Sequence, residues 1–219
     1  MSRLISFEGG DGAGKTTQAA LLVERLGFAG KDAVLVREPG GTPLGERLRP
    51  LIKGEAPASP MAELLMFEAA RAELVQEVIR PALDAGTIVV TDRFYDSTTA
   101  YQGFGRGMDM EIIENLNRIA TGGLEPHITL LLDIEPADAL ARVGSQPGRR
   151  SGGKSGGRID PADQQRFESQ PLEFHERVAE GYRTLAREEP ARWFVIDASR
   201  PADQIAERVW SVVGSVLKI

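Results

Sequence analysis

Leu4-Ile5-Ser6-Phe7-Glu8-Gly9-Gly10-Asp11-Gly12-Ala13-Gly14-Lys15-Thr16-Thr17 is the stretch on which the fold reading turns. A short apolar run, Leu4 to Phe7, enters Gly9 to Thr16, which has the form G-x-x-x-x-G-K-[ST]; a helical pattern from Thr16 to Leu26 follows. Glycines let the backbone curl so that successive N–H groups face inward at phosphate oxygens. The helix that follows adds the positive end of its dipole. Lys15 then stands where an ammonium reaches β- and γ-phosphates, and Thr16 where a hydroxyl ligates Mg²⁺. Gly148-Arg149-Arg150-Ser151-Gly152-Gly153-Lys154-Ser155 fits the same expression. No apolar strand precedes it and no helical pattern follows directly, so it reads as an accident of composition.

Outward from the cradle, short apolar runs alternate with amphipathic stretches. Leu4 to Phe7, Ala33 to Val36, Thr87 to Thr91, Ile128 to Leu132 and Trp193 to Ile196 read as strands. They are rich in Val, Ile and Leu with little polar alternation, as strands covered on both faces are. Thr16 to Leu26, Pro43 to Lys53, Pro60 to Ala85, Met110 to Ala120, Pro136 to Val143, Asp163 to Glu188 and Ala202 to Val216 read as helices. The alternation predicts an α/β chain: a five-stranded, mostly parallel sheet with helices on both faces, in one domain spanning 1–219. Gly144 to Arg158, GSQPGRRSGGKSGGR, carries no large apolar side chain and cannot bury anything. It is either a disordered surface loop or a mobile lid, about 144–160, whose arginines close over phosphate.

Composition narrows the function. The chain has 219 residues, 42% of them hydrophobic, with a net charge of −6 and no cysteine. Disulfides, thiolate metal sites and cysteine nucleophiles are excluded, and the acidic balance argues against a general nucleic-acid binder. No apolar run is long enough to span a membrane, and Met1 to Phe7 lacks the features of a secretory leader. A cytoplasmic protein is expected.

Three further places refine the chemistry. Asp92 ends the strand Thr87 to Thr91 at the carboxyl edge where α/β sheets bind ligands; it suits Mg²⁺ through water, or equally a cap on the next helix. Arg93 beside it would set a cation over transferring phosphates. Phe67, Arg71, Leu74 and Val78 share one helical stripe. Phe67 and Arg71 suit a flat base with an acceptor oxygen, or else Phe67 is core and Arg71 pairs with a nearby Glu. Arg37-Glu38-Pro39-Gly40-Gly41-Thr42, after the second strand, is a ligand wall or a solvated turn. The base-reading N-K-x-D of a GTPase does not occur.

Together these motifs resemble the bacterial thymidylate kinases, members of the P-loop nucleoside monophosphate kinase family. The likeness runs through FEGGDGAGKTT at Phe7 to Thr17, REPGGT at Arg37 to Thr42, LMFEAAR at Leu65 to Arg71, DRFYDSTTAYQG at Asp92 to Gly103, and RFE at Arg166 to Glu168. It implies the three-layer P-loop NTPase fold, ATP-dependent phosphorylation of dTMP to dTDP, Mg²⁺, and a homodimer. It implies that Gly9, Gly10, Asp11, Gly12, Ala13, Gly14, Lys15, Thr16 and Thr17 hold ATP, with Thr16 and Asp92 at the metal. Phe67 would stack on thymine, and Arg71 would donate to O4, where cytosine offers an amine instead. Thr98 and Gln102 would lie near the N3 edge, Tyr101 under the deoxyribose, and Asp11 by the 3′-hydroxyl or Mg²⁺ waters. Arg93, with Arg37 and Arg49, would hold the acceptor phosphate against a wall shaped by Glu38 and Pro39. Some relatives carry a cradle arginine where Gly12 stands; others supply it from the lid, for which Arg149, Arg150 and Arg158 are candidates.

With a phosphate oxygen as acceptor no strong general base is needed, and catalysis is positioning plus charge neutralisation. The rivals are a kinase of another small acceptor, and an ATP-driven switch that hydrolyses ATP without an acceptor. His127 and His175 are expected to be structural or solvated, the Asp163 to Glu188 helix a solvated face behind the lid, and the resemblance points to the Pro60 to Ala85 helix as the dimer surface.

Overall fold

The computed structural model describes residues 3–54, 58–144, 167 and 169–219. Strands β1 (Leu4–Glu8), β2 (Ala33–Arg37), β3 (Ile88–Asp92), β4 (Ile128–Asp133) and β5 (Trp193–Asp197) form one sheet in the order β2-β3-β1-β4-β5. Every pairing among these strands is parallel, not merely most of them. Side chains alternate across β1. Ile5 and Phe7 pack with Leu22 and Leu26 of α1 (Lys15–Phe28) and with Val209 and Val213 of α9 (Ala202–Leu217). Leu4 joins the opposite face, with Leu74 of α3 (Pro60–Leu74), Ile79, Val89 and Phe94. A third cluster gathers Tyr101, Leu131 and Trp193 beneath Phe174, Val178 and Tyr182 of α8 (Leu172–Glu188). Each such side chain removed from water stabilises the fold by about 1.5–3 kcal/mol.

Helix ends follow local chemistry. Thr42 caps α2 (Pro43–Lys53) by accepting the Gly45 N–H, and Ser59 caps α3 by accepting that of Ala62; proline stands at the first helical position of both. Asp109 caps α6 (Met110–Thr121), which Gly122 ends in the left-handed conformation. The helix α7 (Pro136–Gly144) leads out of β4.

Three expectations need correction. Pro60 to Ala85 is not one helix but α3, a π-helical turn at Val75–Ile79, and α4 (Arg80–Asp84). Pro81 has no N–H to donate, and the turn before it takes up the changed register; Val75 is buried on this stretch and Val78 only half-buried. Second, α5 (Tyr95–Thr98) continues as a π-helical stretch, Thr99–Gly105, where no helix was expected. Its Ser, Thr and Gly content hides it from propensity; packing on α8 holds it. A Cβ on Gly105 would lie 2.7 Å from the Phe174 ring, and one on Gly181 2.7 Å from that of Phe104. Third, α8 is no solvated face: Phe174, His175, Val178, Gly181, Tyr182 and Ala186 are buried. The basic Gly-rich segment with Arg149, Arg150 and Arg158 lies outside the described residues.

Candidate active site

The cradle joins β1 to α1. Gly9, Gly12 and Gly14 have φ of 136°, 82° and 97°, a region side chains disfavour. Space is as decisive as torsion. A Cβ on Gly9 would meet the Leu132 carbonyl oxygen at 2.6 Å, and one on Gly12 would overlap the Ala139 carbonyl oxygen of α7. With α7 in place, no side chain fits at position 12, so this chain has no room there for the cradle arginine of some relatives. Gly10 accepts the Ala13 N–H at 3.3 Å, and Ala13 itself is core. Lys15 is buried, and its Nζ donates to the Gly10 carbonyl at 2.6 Å. Burial and the nearby Arg93 charge push the ammonium down to about 8, against the opposing pull of Asp11, Asp92 and Glu8. The Thr16 hydroxyl donates to Asp92 Oδ2 across the mouth of the cradle, while Thr17 is exposed.

Arg93 directly follows β3 with φ 73°, rare for a residue with a side chain. Its Nη2 donates to Asp11 Oδ1 at 2.6 Å and to the Tyr101 hydroxyl at 3.1 Å; Tyr101 in turn donates to Asp11 Oδ2 at 2.8 Å. Its Nη1 reaches Ser97 Oγ at 3.0 Å, with the Gly9 carbonyl and the Tyr182 hydroxyl each at 3.3 Å. Burial raises the Asp11 carboxyl, but Arg93, Lys15, the Tyr101 hydroxyl and Lys53 outweigh it and hold it at about 2. Burial likewise opposes the Arg93 charge, yet the oxygens of Tyr101, Asp11, Tyr182 and Asp92 keep it well above the ordinary guanidinium range.

Arg71, 1% exposed, is the second centre. Its Nε and Nη2 donate to Glu38 Oε2 at 2.9 and 2.7 Å, Nη2 also to Thr98 Oγ1 at 2.9 Å, and Nη1 to Glu68 at 2.7 Å and Asn117 at 3.2 Å. Five N–H groups thus meet four protein acceptors, Glu38 Oε2 taking two of them. Burial opposes the Arg71 charge, but the two glutamates raise its pKa; burial also lifts Glu38 to about 6, against the pull of Arg71. The Arg71–Glu pairing weighed from the sequence is therefore what the structure contains, and Thr98 joins the same knot. Phe67 is half-buried on α3, its ring 6.2 Å from that of Phe167, which stands edge-on to Tyr101 at 5.7 Å. Gln102 faces another way: its Nε2 donates to the buried Glu63 at 3.1 Å, where Arg106 also binds. Arg49 donates to the Pro39 carbonyl at 2.6 Å, and Arg37 pairs with Glu46 at the surface.

Sequence reasoning passed over Glu8, Ser97, Tyr182, Glu68, Asn117 and Glu63. Ser6 and Glu8, polar residues at alternate positions of an otherwise apolar strand, were a readable signal; Tyr182 and Asn117 reach the site only through tertiary packing. His127 and His175 are structural: His127 Nδ1 accepts the Leu4 N–H at 3.2 Å, and His175 is buried.

A glycine cradle ahead of a helix N-terminus, at the carboxyl edge of a parallel sheet in this order, defines a P-loop NTPase. The thymidylate kinase family profile matches residues 7–209. The thymidylate kinase of Synechococcus sp. strain JA-2-3B'a(2-13) is 50% identical over 209 residues, covering 95% of this chain and 93% of that protein. That of Thermomicrobium roseum is 48% identical over 219 residues, covering 100% and 97%. A solved structure of thymidylate kinase from Ehrlichia chaffeensis superposes with a TM-score of 0.74 at 34% identity, over 97% of this chain and 98% of that one. The chain belongs to the thymidylate kinase family. It is a transferase of nucleotide biosynthesis that phosphorylates dTMP. Among the described residues no helix is long and apolar enough to cross a membrane.

Proposed function

We propose that the phosphoryl donor is Mg·ATP, that Gly9 to Thr17 hold it, and that dTMP lies between Phe67, Tyr101 and Arg93 and is converted to dTDP. The observation that carries this reading is the Arg93–Asp11–Tyr101 cluster, which ties the cradle to the helical stretch after β3. There a fixed guanidinium faces the cradle, so an acceptor phosphate on Arg93 would be brought toward a donor phosphate on Lys15 against their mutual repulsion. Asp11 would meet the sugar 3′-hydroxyl or Mg²⁺ waters, with the Tyr101 ring against the deoxyribose. Glu38, Pro39 and Arg49 form the adjoining wall. Phe67 would stack on the base. Since every Arg71 N–H has a protein partner, the O4 contact requires thymine to replace Thr98 or Asn117 as an acceptor. Gln102 would reach the N3 edge from its anchor on Glu63.

The residues fit Mg²⁺. A threonine hydroxyl and an aspartate already touch at the cradle mouth, hard oxygen donors of the kind the ion prefers. Among the described residues no cluster of three acidic or histidine side chains could hold a metal, so Thr16 and Asp92 would share it with nucleotide phosphates and water. When bound, the ion supplies charge neutralisation on the phosphates. Arg149, Arg150 and Arg158 remain the candidate lid arginines. One domain, a homodimer and a cytoplasmic location, where both nucleotides are soluble, belong to the same reading.

The test is ADP release from Mg·ATP with dTMP, dUMP, dCMP, UMP, AMP, GMP, thymidine or no acceptor. Strong preference for dTMP with little release in its absence is expected; release indifferent to the acceptor would overturn the reading in favour of an ATP-driven switch.

A further inference from the structure

Glu8 is fully buried at the end of β1, one residue before the cradle, and the proposed reaction makes no use of it. Its carboxylate is nonetheless saturated with donors. Oε1 accepts the Ser6 hydroxyl and the Phe94 N–H, each at 2.7 Å; Oε2 accepts the Ser97 hydroxyl at 2.6 Å and the Tyr182 hydroxyl at 3.2 Å. Three of these four lead to Arg93. Phe94 is its chain neighbour, so its N–H pins the backbone just after the left-handed Arg93. The oxygens of Ser97 and Tyr182 both accept from Arg93 Nη1 and lie 2.8 Å from each other.

The direction of these bonds matters. An ionised Glu8 takes the single Ser97 proton, which leaves the Ser97 lone pairs to receive Arg93 and the Tyr182 hydroxyl, whose one proton is shared between Ser97 Oγ and Glu8 Oε2. A group at position 8 that carries its own donor competes for those lone pairs. We infer that Glu8 is a positioning residue for the acceptor phosphate, holding the Arg93 guanidinium through Ser97, Tyr182 and the Phe94 N–H. This rests on the proposed role of Arg93 toward the dTMP phosphate.

The titration of Glu8 offers a readout that packing alone would not. Burial and the Asp96 charge push it up to about 7, against its hydrogen bonds from Ser97 and Ser6 and the pull of Arg93. The ionisable groups that face it are Lys15 on α1, Arg93 and Asp96 beyond β3, and Tyr182 on α8. As pH falls through that value Glu8 becomes a donor, and the hold on Arg93 weakens. The dTMP phosphate takes up its own proton near pH 6, by about the value of other phosphate monoesters, so the test compares variants rather than reading one profile.

The experiment uses the full chain and measures KM for dTMP and for ATP separately, kcat, pH profiles and Tm. Its variants are Glu8→Gln, Ser97→Ala, Tyr182→Phe and Arg93→Lys. Glu8→Gln is expected to raise KM for dTMP about tenfold, to leave that for ATP within about twofold, and to remove the acid limb near neutrality, in line with a charged hydrogen-bond network lost. Ser97→Ala and Tyr182→Phe should move dTMP in the same direction by less. An unchanged KM for dTMP and an unchanged acid limb in Glu8→Gln overturn the inference. So does an equal loss toward both substrates that tracks a fall in Tm. If Glu8→Gln does not fold, the two hydroxyl deletions decide by the same split. If Arg93→Lys leaves dTMP untouched, the reading of Arg93 itself has failed; if Arg93→Lys is selective for dTMP and Glu8→Gln is not, only the role of Glu8 has.

Discussion

Arg71 illustrates how one residue can be read correctly in chemistry and still surprise in energetics. Its guanidinium neutralises Glu38 and Glu68 in a buried knot, so its loss strands two carboxylates away from water. Removing one partner of such a set typically costs about 3–5 kcal/mol. Arg71→Ala should therefore lower Tm by roughly 10 °C in a chain of this size, whatever it does to dTMP use. A thermal melt unchanged within about 2 °C would mean the knot contributes little. Lys15 is the opposite case, a buried cation poised for a ligand. Lys15→Ala should keep the fold while turnover falls by about 100-fold or more, the scale of losing one transition-state charge contact; near-normal turnover would refute the cradle assignment. Its lowered pKa gives a pH signature. Above about 8 the ammonium is lost, so the Kd for ATP should rise from pH 7 to pH 9.5, and Lys15→Gln should flatten that rise. For stability the sign is reversed. Between about 8 and the ordinary 10.5 the unfolded chain holds more protons, so the Lys15 contribution to stability grows with pH there.

At the scale of elements, the cradle and α7 are packed backbone against backbone. Gly12→Ala would place its Cβ 2.8 Å from the Ala139 carbonyl carbon and closer still to its oxygen, at a φ of 82°. Loss of about 2 kcal/mol or more in a urea melt is expected, together with loss of activity. Gly10→Ala meets nothing within 4 Å and should cost under about 0.5 kcal/mol. Equal losses at the two positions would show that α7 gives way. The strands and most helices were legible because periodicity and caps are local signals: Thr42, Ser59 and Asp109 mark helix starts in the sequence itself. Thr99–Gly105 was not, because its helix depends on two glycines letting α8 close on it. For the same reason the mostly buried face of α8 passed for a solvated one, its charges being spread along the sequence but gathered on one side in space.

In the whole molecule, α2 packs on α3 and α3 on α6, and Leu51, Leu65 and Ile119 are exposed on these three helices at 55%, 48% and 71%. These are the side chains that the proposed homodimer would cover. Sedimentation should show a dimer that Leu65→Glu or Ile119→Glu shifts toward monomer; a wild-type chain that stays monomeric at high concentration would refute it. The α/β architecture, the glycine cradle with Lys15 and Thr16, and the set of motifs that marks the family were all legible in the order of residues along the chain. Buried strands and phosphate loops are written in consecutive residues, where hydrophobic runs and glycine spacing leave few alternatives. Tertiary structure alone decided how the guanidiniums are used: that Arg71 spends every donor inside the protein, that Arg93 is clasped by Asp11 and Tyr101, and that Glu8, Ser97 and Tyr182 stand behind it. Those partners are far apart in the chain, and a buried charge finds its counter-charge only when the fold brings both out of water together.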